Sequence, residues 1–272
     1  MLEHAIRPLL EVVAKKHLLY LDWKHPRAAR KGKRKVTWTD HLGNSHDLDY
    51  VLEAGGSDEA IGRPKAFIEI AYRRYTKHSR NKVGEIQCAI SPLADTYRED
   101  HPFLGVILAG EFTDASLAQL RSHGFSVIHF PFDSLVTAFK ISGIDAYFDE
   151  KTDDRRVNSK IKKYLSLSVK RRAKIAEEIR ALHEREINSF VHHLEMTLER
   201  RIERVLVITL HGARCEVVTV DEAVKYVEEY DEAGTTDKFV RYEVTVCYSN
   251  GDEVRGAFKA KIEAVRFLRN VM

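Results

Sequence analysis

The stretch FLGVILAG, residues 103–110, is apolar from end to end. A strand of that composition keeps neither side in water, so it belongs inside a sheet whose two faces are both covered. Its flanks agree. A helical segment from about Asn81 to Ile90, disturbed at Pro92, precedes it. ASLAQLRSHG follows, with Thr113 or Asp114 as its cap and Gly124 as its stop. A further strand, FSVIHFP, and a helix LVTAFKISG begun by Asp133 or Ser134 continue the alternation. Upstream, Ile6, Leu9, Leu10, Val13 and Leu18 recur at helical spacing in MLEHAIRPLLEVVAKKHLLYL, which predicts an amphipathic helix ending before Pro26. KVTWTDHLGNSHDLDYVLE alternates on both sides of Gly43-Asn44, the pattern of a hairpin, and AFIEIAY supplies a third strand. The predicted order is helix, three strands, helix, strand, helix, strand, helix. It implies an α/β core over residues 1–150, a mixed sheet with helices on its faces.

The rest of the chain has a different texture. From about Asp153 to Arg204 there is almost no glycine or proline, and Ile161, Leu165, Ile175, Ile179, Ile187, Val191 and Leu198 are spaced among charges. Residues 151–205 are therefore expected to form long helices, as a hairpin or an extended pair. Strands in RVLVITLHG, CEVVTV and FVRYEVTVCYSNGDEVRGAFKA, a turn at Ser249-Asn250-Gly251-Asp252, and helices at about 221–230 and 259–269 predict a small α+β domain over 206–272. That domain is expected to serve dimerisation or target recognition, or else to pack on its own subunit.

Composition excludes some classes. With 44% hydrophobic residues and no long apolar run, the 272-residue chain suits a soluble protein with a substantial core, neither membrane-spanning nor disordered. Cys88, Cys215 and Cys247 lie far apart, in no zinc or disulfide pattern, and a reducing cytoplasm is expected. The first residues carry charges throughout, unlike a signal peptide. The net charge of +3 is small, but 31% of residues are charged and the cations cluster, so local patches matter more than the total.

Two clusters of cations stand out. KHPRAARKGKRK contains Lys24, Arg27, Arg30, Lys31, Lys33, Arg34 and Lys35 with no apolar period, and is either a solvated loop or an arm that contacts phosphates. The second, Arg73, Arg74, Lys77, Arg80 and Lys82, follows a strand that carries one carboxylate, Glu69. In HDLDYVLE, strand alternation sets Asp47 and Asp49 on one face. In FIEIAY, Glu69 shares its face with Phe67 and Ala71. Acids on adjacent strands stand close enough to repel, and a buried carboxylate must be paired, protonated or metal-bound. Glu69 therefore either pairs with a nearby arginine or joins Asp49 in holding a divalent cation.

This element order, with an acid in DLDYVLE and another in FIEIAYRRY, resembles the PD-(D/E)xK nuclease superfamily, which includes most type II restriction endonucleases. The resemblance covers roughly residues 1–145 and implies a restriction-endonuclease-like core. It implies Asp49 and Glu69 as ligands of Mg2+, phosphodiester hydrolysis in double-stranded DNA, and a homodimer that cuts both strands. The sequence departs from the pattern at Ala71, where the family usually has lysine. Lys82, near the start of the next helix, is the first candidate for the displaced cation and Lys77 the second. Glu85, three residues after Lys82, is a further ligand or simply the partner of Lys82. Asp47 is the substitute for Asp49. Lys31, Lys33, Arg34, Arg73, Arg74, Lys77 and Arg80 are the expected DNA contacts, with KIKKYLSLSVKRR a further candidate surface.

Other signals are weaker. His192 and His193 lack the spacing of a metal site, and His78 is one of many possible phosphate contacts in a cationic loop. No Walker phosphate loop, serine-nucleophile elbow or zinc-hydrolase helix is present. A reading from a different class also follows from Ala71: a DNA-binding or assembly protein that keeps the nuclease fold without catalysis.

Overall fold

The computed structural model describes residues 1–209, 213–234 and 239–271. The chain divides into two compact units. The first comprises residues 1–96 and 103–195, the second 97–102 and 196–272.

The first unit begins with α1 (Leu2–Lys16), whose Ala5, Ile6, Leu10, Val13 and Ala14 are buried. The helix is shorter than its apolar pattern suggests. Leu18 takes a positive φ of 55°, and Leu19–Trp23 form a strand, β1, in which Tyr20 and Trp23 favour extended backbone. Next come β2 (Val36–Thr39) and β3 (Ser45–Leu48), the expected hairpin around Gly43-Asn44. Its turn is held by Asp40, which accepts from the backbone N–H groups of Leu42 and Asn44 and from His46. The alternating segment does not continue as one strand, however. It breaks at Asp49, and Tyr50–Ala54 form β4 in another sheet. Asp47 and Asp49 therefore do not share a strand face: Asp47 is exposed and bound by Lys35 and Thr37.

Then follow β5 (Arg63–Arg73), α2 (Ser79–Thr96), β6 (Phe103–Gly110), α3 (Asp114–Ser122), β7 (Ser126–Pro131) and α4 (Phe132–Lys140). The five-stranded sheet has the order β1-β4-β5-β6-β7. Its first half is antiparallel, and β5, β6 and β7 run parallel. It is a mixed sheet, as the sequence predicts. β6 is buried from Gly105 to Gly110, as a central strand covered on both faces must be. Gly110 ends it at φ 98°, with Arg73 O so close that a Cβ would overlap it. α2 passes through Pro92 because Val83, Ile86, Ile90 and Leu93 anchor one face on both sides of the proline. Thr113 caps α3 by accepting from Ser116 N–H. α4 starts directly after Pro131 without a side-chain cap, slightly earlier than Asp133 or Ser134 would have placed it, because Phe132 is buried on the inward face.

The helices α5 (Asp154–Leu165), α6 (Val169–Leu182) and α7 (Glu184–Glu199) replace the expected long pair with three shorter segments. Asp153 and Ser168 cap α5 and α6, and each cap is a break that apolar spacing cannot reveal. α6 packs on α1 and α4. These helices thus belong with the α/β core, and the division falls within α7 at 195/196, whereas the sequence suggested boundaries at 150 and 205.

The second unit contains β8 (Ile202–Thr209), β9 (Ala213–Val217), α8 (Val220–Glu229), β10 (Tyr242–Tyr248), β11 (Glu253–Phe258) and α9 (Lys261–Asn270). Its sheet order is β11-β10-β8-β9, antiparallel throughout. Val205, Val207, Val224, Val227, Val244, Val246, Phe267 and Leu268 form its core. Residues 97–102 join this unit through Arg200, which donates to the carbonyls of Asp100 and His101. Leu210, His211 and Gly212, at the end of one predicted strand, lie outside the described residues.

Candidate active site

Asp49 occupies the single residue between β3 and β4, where the chain leaves the hairpin and enters the main sheet. The register pairs Tyr50 with Ile68, so the next position up the ladder sets Asp49 opposite Glu69. The backbone locks this arrangement. Ile70 N–H donates to Asp49 Oδ2 at 2.7 Å. Alternation along β5 then sends Glu69 and Ala71 to one face, and Ile70 and Tyr72 to the other.

Ala71 is buried and carries no charge to Glu69. Lys82, in the first turn of α2, brings its Nζ to 3.6 Å from Glu69 Oε1 and 3.5 Å from Glu85 Oε2. Arg73 also reaches Glu85, at 3.5 Å. Glu85 is exposed and is shared between two cations, so it serves as their partner. The side chains of Glu69 and Lys82 are 16% and 17% exposed, which leaves them reachable but largely desolvated.

The electrostatics follow from that burial. Desolvation pushes the Glu69 carboxyl up to about 7, the negative charge of Asp49 adds to the shift, and Lys82 only partly opposes it. Asp49 is also raised, again chiefly by burial, against the stabilising hydrogen bond from Ile70 N–H. Lys82 lowers it, and two groups from outside the acid–lysine cluster also act on Asp49. Glu3, at the start of α1, raises it, whereas Lys24 from the basic loop lowers it. Neither residue carries a sequence signal for this role, because α1 returns to the site only through the tertiary fold.

Two carboxylates that disfavour joint ionisation, with one ammonium at their edge, have the chemistry of a hard-cation site. Among the described residues, Asp49 and Glu69 are not part of any set of three ligand atoms lying within 4.8 Å of one another. A Mg2+ ion held by the two would complete its shell with water and substrate oxygens, as that ion commonly does.

The expected DNA contacts separate into three groups. Lys31, Lys33, Arg34, Lys77 and Arg80 are exposed, with Lys77 3.2 Å from Glu150. Arg73 is half-buried and donates to Tyr72 O. Arg74 is engaged internally: it donates to Phe148 O and stacks 3.7 Å from the centre of Phe132. The basic loop is not a uniform solvated arm either. Arg27 is buried between Asp22 and Glu53, at 2.7 Å from each, and Arg30 binds Asp22 at 2.9 Å. The side chain of His78 lies outside the described residues. Among the described residues, no helix is long and apolar enough to cross a membrane.

No family model and no curated protein matches this chain. Among solved structures, it is similar to the crystal structure of a protein of unknown function, AF1548, at 11% identity and a TM-score of 0.28. The match covers 72% of this chain and 95% of the other. A likeness of that degree carries no inference about fold or activity.

Proposed function

We propose that the chain is a Mg2+-dependent DNA endonuclease of the PD-(D/E)xK superfamily, acting on double-stranded DNA as a restriction-endonuclease-like homodimer. The observation that carries this reading is the Lys82 ammonium 3.6 Å from Glu69. The cation missing from position 71 is supplied from α2, at the carboxylate it would serve. The topology supports the same reading: an antiparallel β4–β5 pair brings the acids together, and parallel crossovers follow.

Asp49 and Glu69 would hold the ion. When bound, Mg2+ polarises a phosphate oxygen and lowers the pKa of a coordinated water. Ile70 N–H fixes the orientation of Asp49 for that task. Glu69, raised to about 7 without a cation, exchanges a proton for the ion's charge. Lys82 orients the attacking water and stabilises the charge that develops on phosphorus-bound oxygen. The exposed cations Lys31, Lys33, Arg34, Lys77 and Arg80 neutralise backbone phosphates, which gives affinity without sequence information.

Cleavage of supercoiled plasmid in Mg2+ and in EDTA tests the proposal. Asp49→Ala and Glu69→Ala are each expected to abolish cleavage while metal-free DNA binding persists. Lys82→Ala is expected to slow cleavage by about a hundredfold or more with little change in affinity. Lys77→Ala should mainly weaken binding. Full activity in either acid variant would overturn the site assignment.

A further inference from the structure

Glu69, Ala71 and Arg73 alternate onto one face of β5, and the first two turns of α2 bring Lys82 to Glu69 and Glu85 to Arg73. An aromatic cavity of about 640 Å3, lined in part by Ile70, Tyr72, Phe132, Phe148 and Tyr164, borders the opposite face of the strand. It shares Asp49 with the acid pair but is lined by neither Glu69 nor Lys82. A phosphodiester at the acid pair therefore meets the Glu69–Arg73 face, away from the cavity.

On that face a carboxylate already stands between two cations. One oxygen of Glu85, Oε2, lies 3.5 Å from Lys82 Nζ and 3.5 Å from Arg73 Nη2. The three side chains are not held equally. Lys82 is largely buried and keeps a second contact with Glu69, while Arg73 is 34% exposed and also donates to Tyr72 O at 2.9 Å. Glu85 is 58% exposed and, among the described residues, its contacts are with these two cations. The carboxylate can swing into water, and each cation retains an anchor without it.

An anion held by an ammonium and a guanidinium beside two acids has the surroundings that a phosphodiester group needs. The two anions cannot share the place, because a carboxylate and a phosphate oxygen on one ammonium stand close enough to repel. Nor does Glu85 join the acids as a third ligand: among the described residues, Asp49 and Glu69 belong to no set of three ligand atoms within 4.8 Å of one another. Resting on the nuclease reading above, we propose that Glu85 is a stand-in for the scissile phosphate. Its carboxylate neutralises Lys82 and Arg73 in the free protein, and DNA displaces it to set a phosphate oxygen between the same two cations. Arg73 is then a ligand of the scissile phosphate itself, and the departure of Glu85 is a step that every productive encounter must include.

The test is a double-mutant cycle of Glu85→Gln and Arg73→Gln in the full chain, read as affinity for one labelled duplex in EDTA by fluorescence anisotropy. Glu85→Gln is expected to tighten binding about tenfold, because no carboxylate has to leave the cations. Arg73→Gln is expected to weaken binding about twofold in the wild type, where the arginine exchanges one anion for another, and about tenfold in the Glu85→Gln background, where it gains one outright. A surface acid that acts only through the general field would shift affinity by the same factor in both backgrounds. If Glu85→Gln binds no tighter than the wild type, or if Arg73→Gln costs the same in both backgrounds, the stand-in proposal is overturned, and cleavage by the wild type in Mg2+ keeps the nuclease reading. Loss of Mg2+-dependent cleavage in Glu85→Gln with unchanged metal-free affinity also overturns it, by making Glu85 a metal ligand. If the wild type neither binds the duplex nor cuts DNA in Mg2+, both readings fall together.

Discussion

The sheet of the first unit carries two pairs of neighbouring acids, and they have opposite fates. Asp22 on β1 and Glu53 on β4 are completely buried, yet every charge there is met. Arg27 contacts Asp22 and both oxygens of Glu53, and spends its remaining donors on Ser57 O and Ala60 O. Arg30 adds a contact to Asp22, and Gly62 N–H one to Glu53. Asp49 and Glu69 have far less: one backbone N–H, from Ile70 to Asp49, and a single lysine that Glu69 shares with Glu85. The same residue types on the same sheet thus make a closed structural network in one place and a charge-deficient site in the other. What separates them is the count of donors aimed at the carboxylates, since a fork-shaped guanidinium fills an acid pair that an ammonium at 3.6 Å leaves open.

The sharpest way to break this comparison is to remove the central cation of each pair. Arg27→Ala leaves two buried carboxylates without their partner and is expected to cost about 3–5 kcal/mol. Urea unfolding of the metal-free protein measures it. Lys82→Ala leaves a carboxyl that simply keeps its proton, and its cost in the same experiment is expected to stay below about 1 kcal/mol. Equal losses would mean that the two pairs do not differ in kind.

The difference between the pairs was only half legible in the sequence. Strand alternation and adjacency were enough to bring Asp49 towards Glu69, because register between neighbouring strands is a local matter. The break at Asp49 was not legible, since HDLDYVLE alternates straight through the point where the chain changes sheets. Nor did composition distinguish Arg27 and Arg30 from Lys31 and Lys33. The partners that bury the arginines sit in β1 and β4, and Glu53 is 26 residues away from Arg27. β1 itself was absorbed into α1, whose apolar pattern runs on past the left-handed residue that ends it. The aromatic cavity could not be seen at all, because Tyr72, Phe132, Phe148 and Tyr164 meet only in the folded chain.

The next effect is smaller and depends on pH. Glu69 ordinarily titrates near 4.5 and is raised to about 7 in the folded protein. Between those values the native state keeps a proton that the unfolded chain has released, so stability is full below about pH 4.5 and is lost as the pH rises through about 7. Glu69→Gln abolishes that slope. In EDTA the variant is expected to gain on the wild type by about 2 to 3 kcal/mol between pH 4.5 and 8, read from urea midpoints at each pH. Parallel stability curves for the two proteins would mean that Glu69 is not strained by its surroundings. The Asp22–Glu53 pair offers the control, since Arg27 meets both acids.

The smallest expected effect on stability lies in the exposed part of the basic loop. Lys31, Lys33 and Arg34 are exposed, while Arg27 and Arg30, a few residues earlier, are held by buried acids. Replacing the three exposed cations with alanine should change unfolding free energy by less than about 0.5 kcal/mol. On the proposed nuclease function, their value lies in the phosphate field. Each phosphate that the protein no longer neutralises takes about 0.9 off the slope of log affinity against log salt, so the triple variant should bind DNA with a slope shallower by up to about 2.7. Fluorescence anisotropy with one labelled duplex across a series of salt concentrations measures it. An unchanged slope would remove the loop from the DNA surface and leave Lys77 and Arg80, closer in sequence to Glu69 and Lys82, as its exposed cations. A lowered slope with unchanged stability would divide one continuous basic sequence into two physical parts, the first arginines serving the fold and the later cations the substrate.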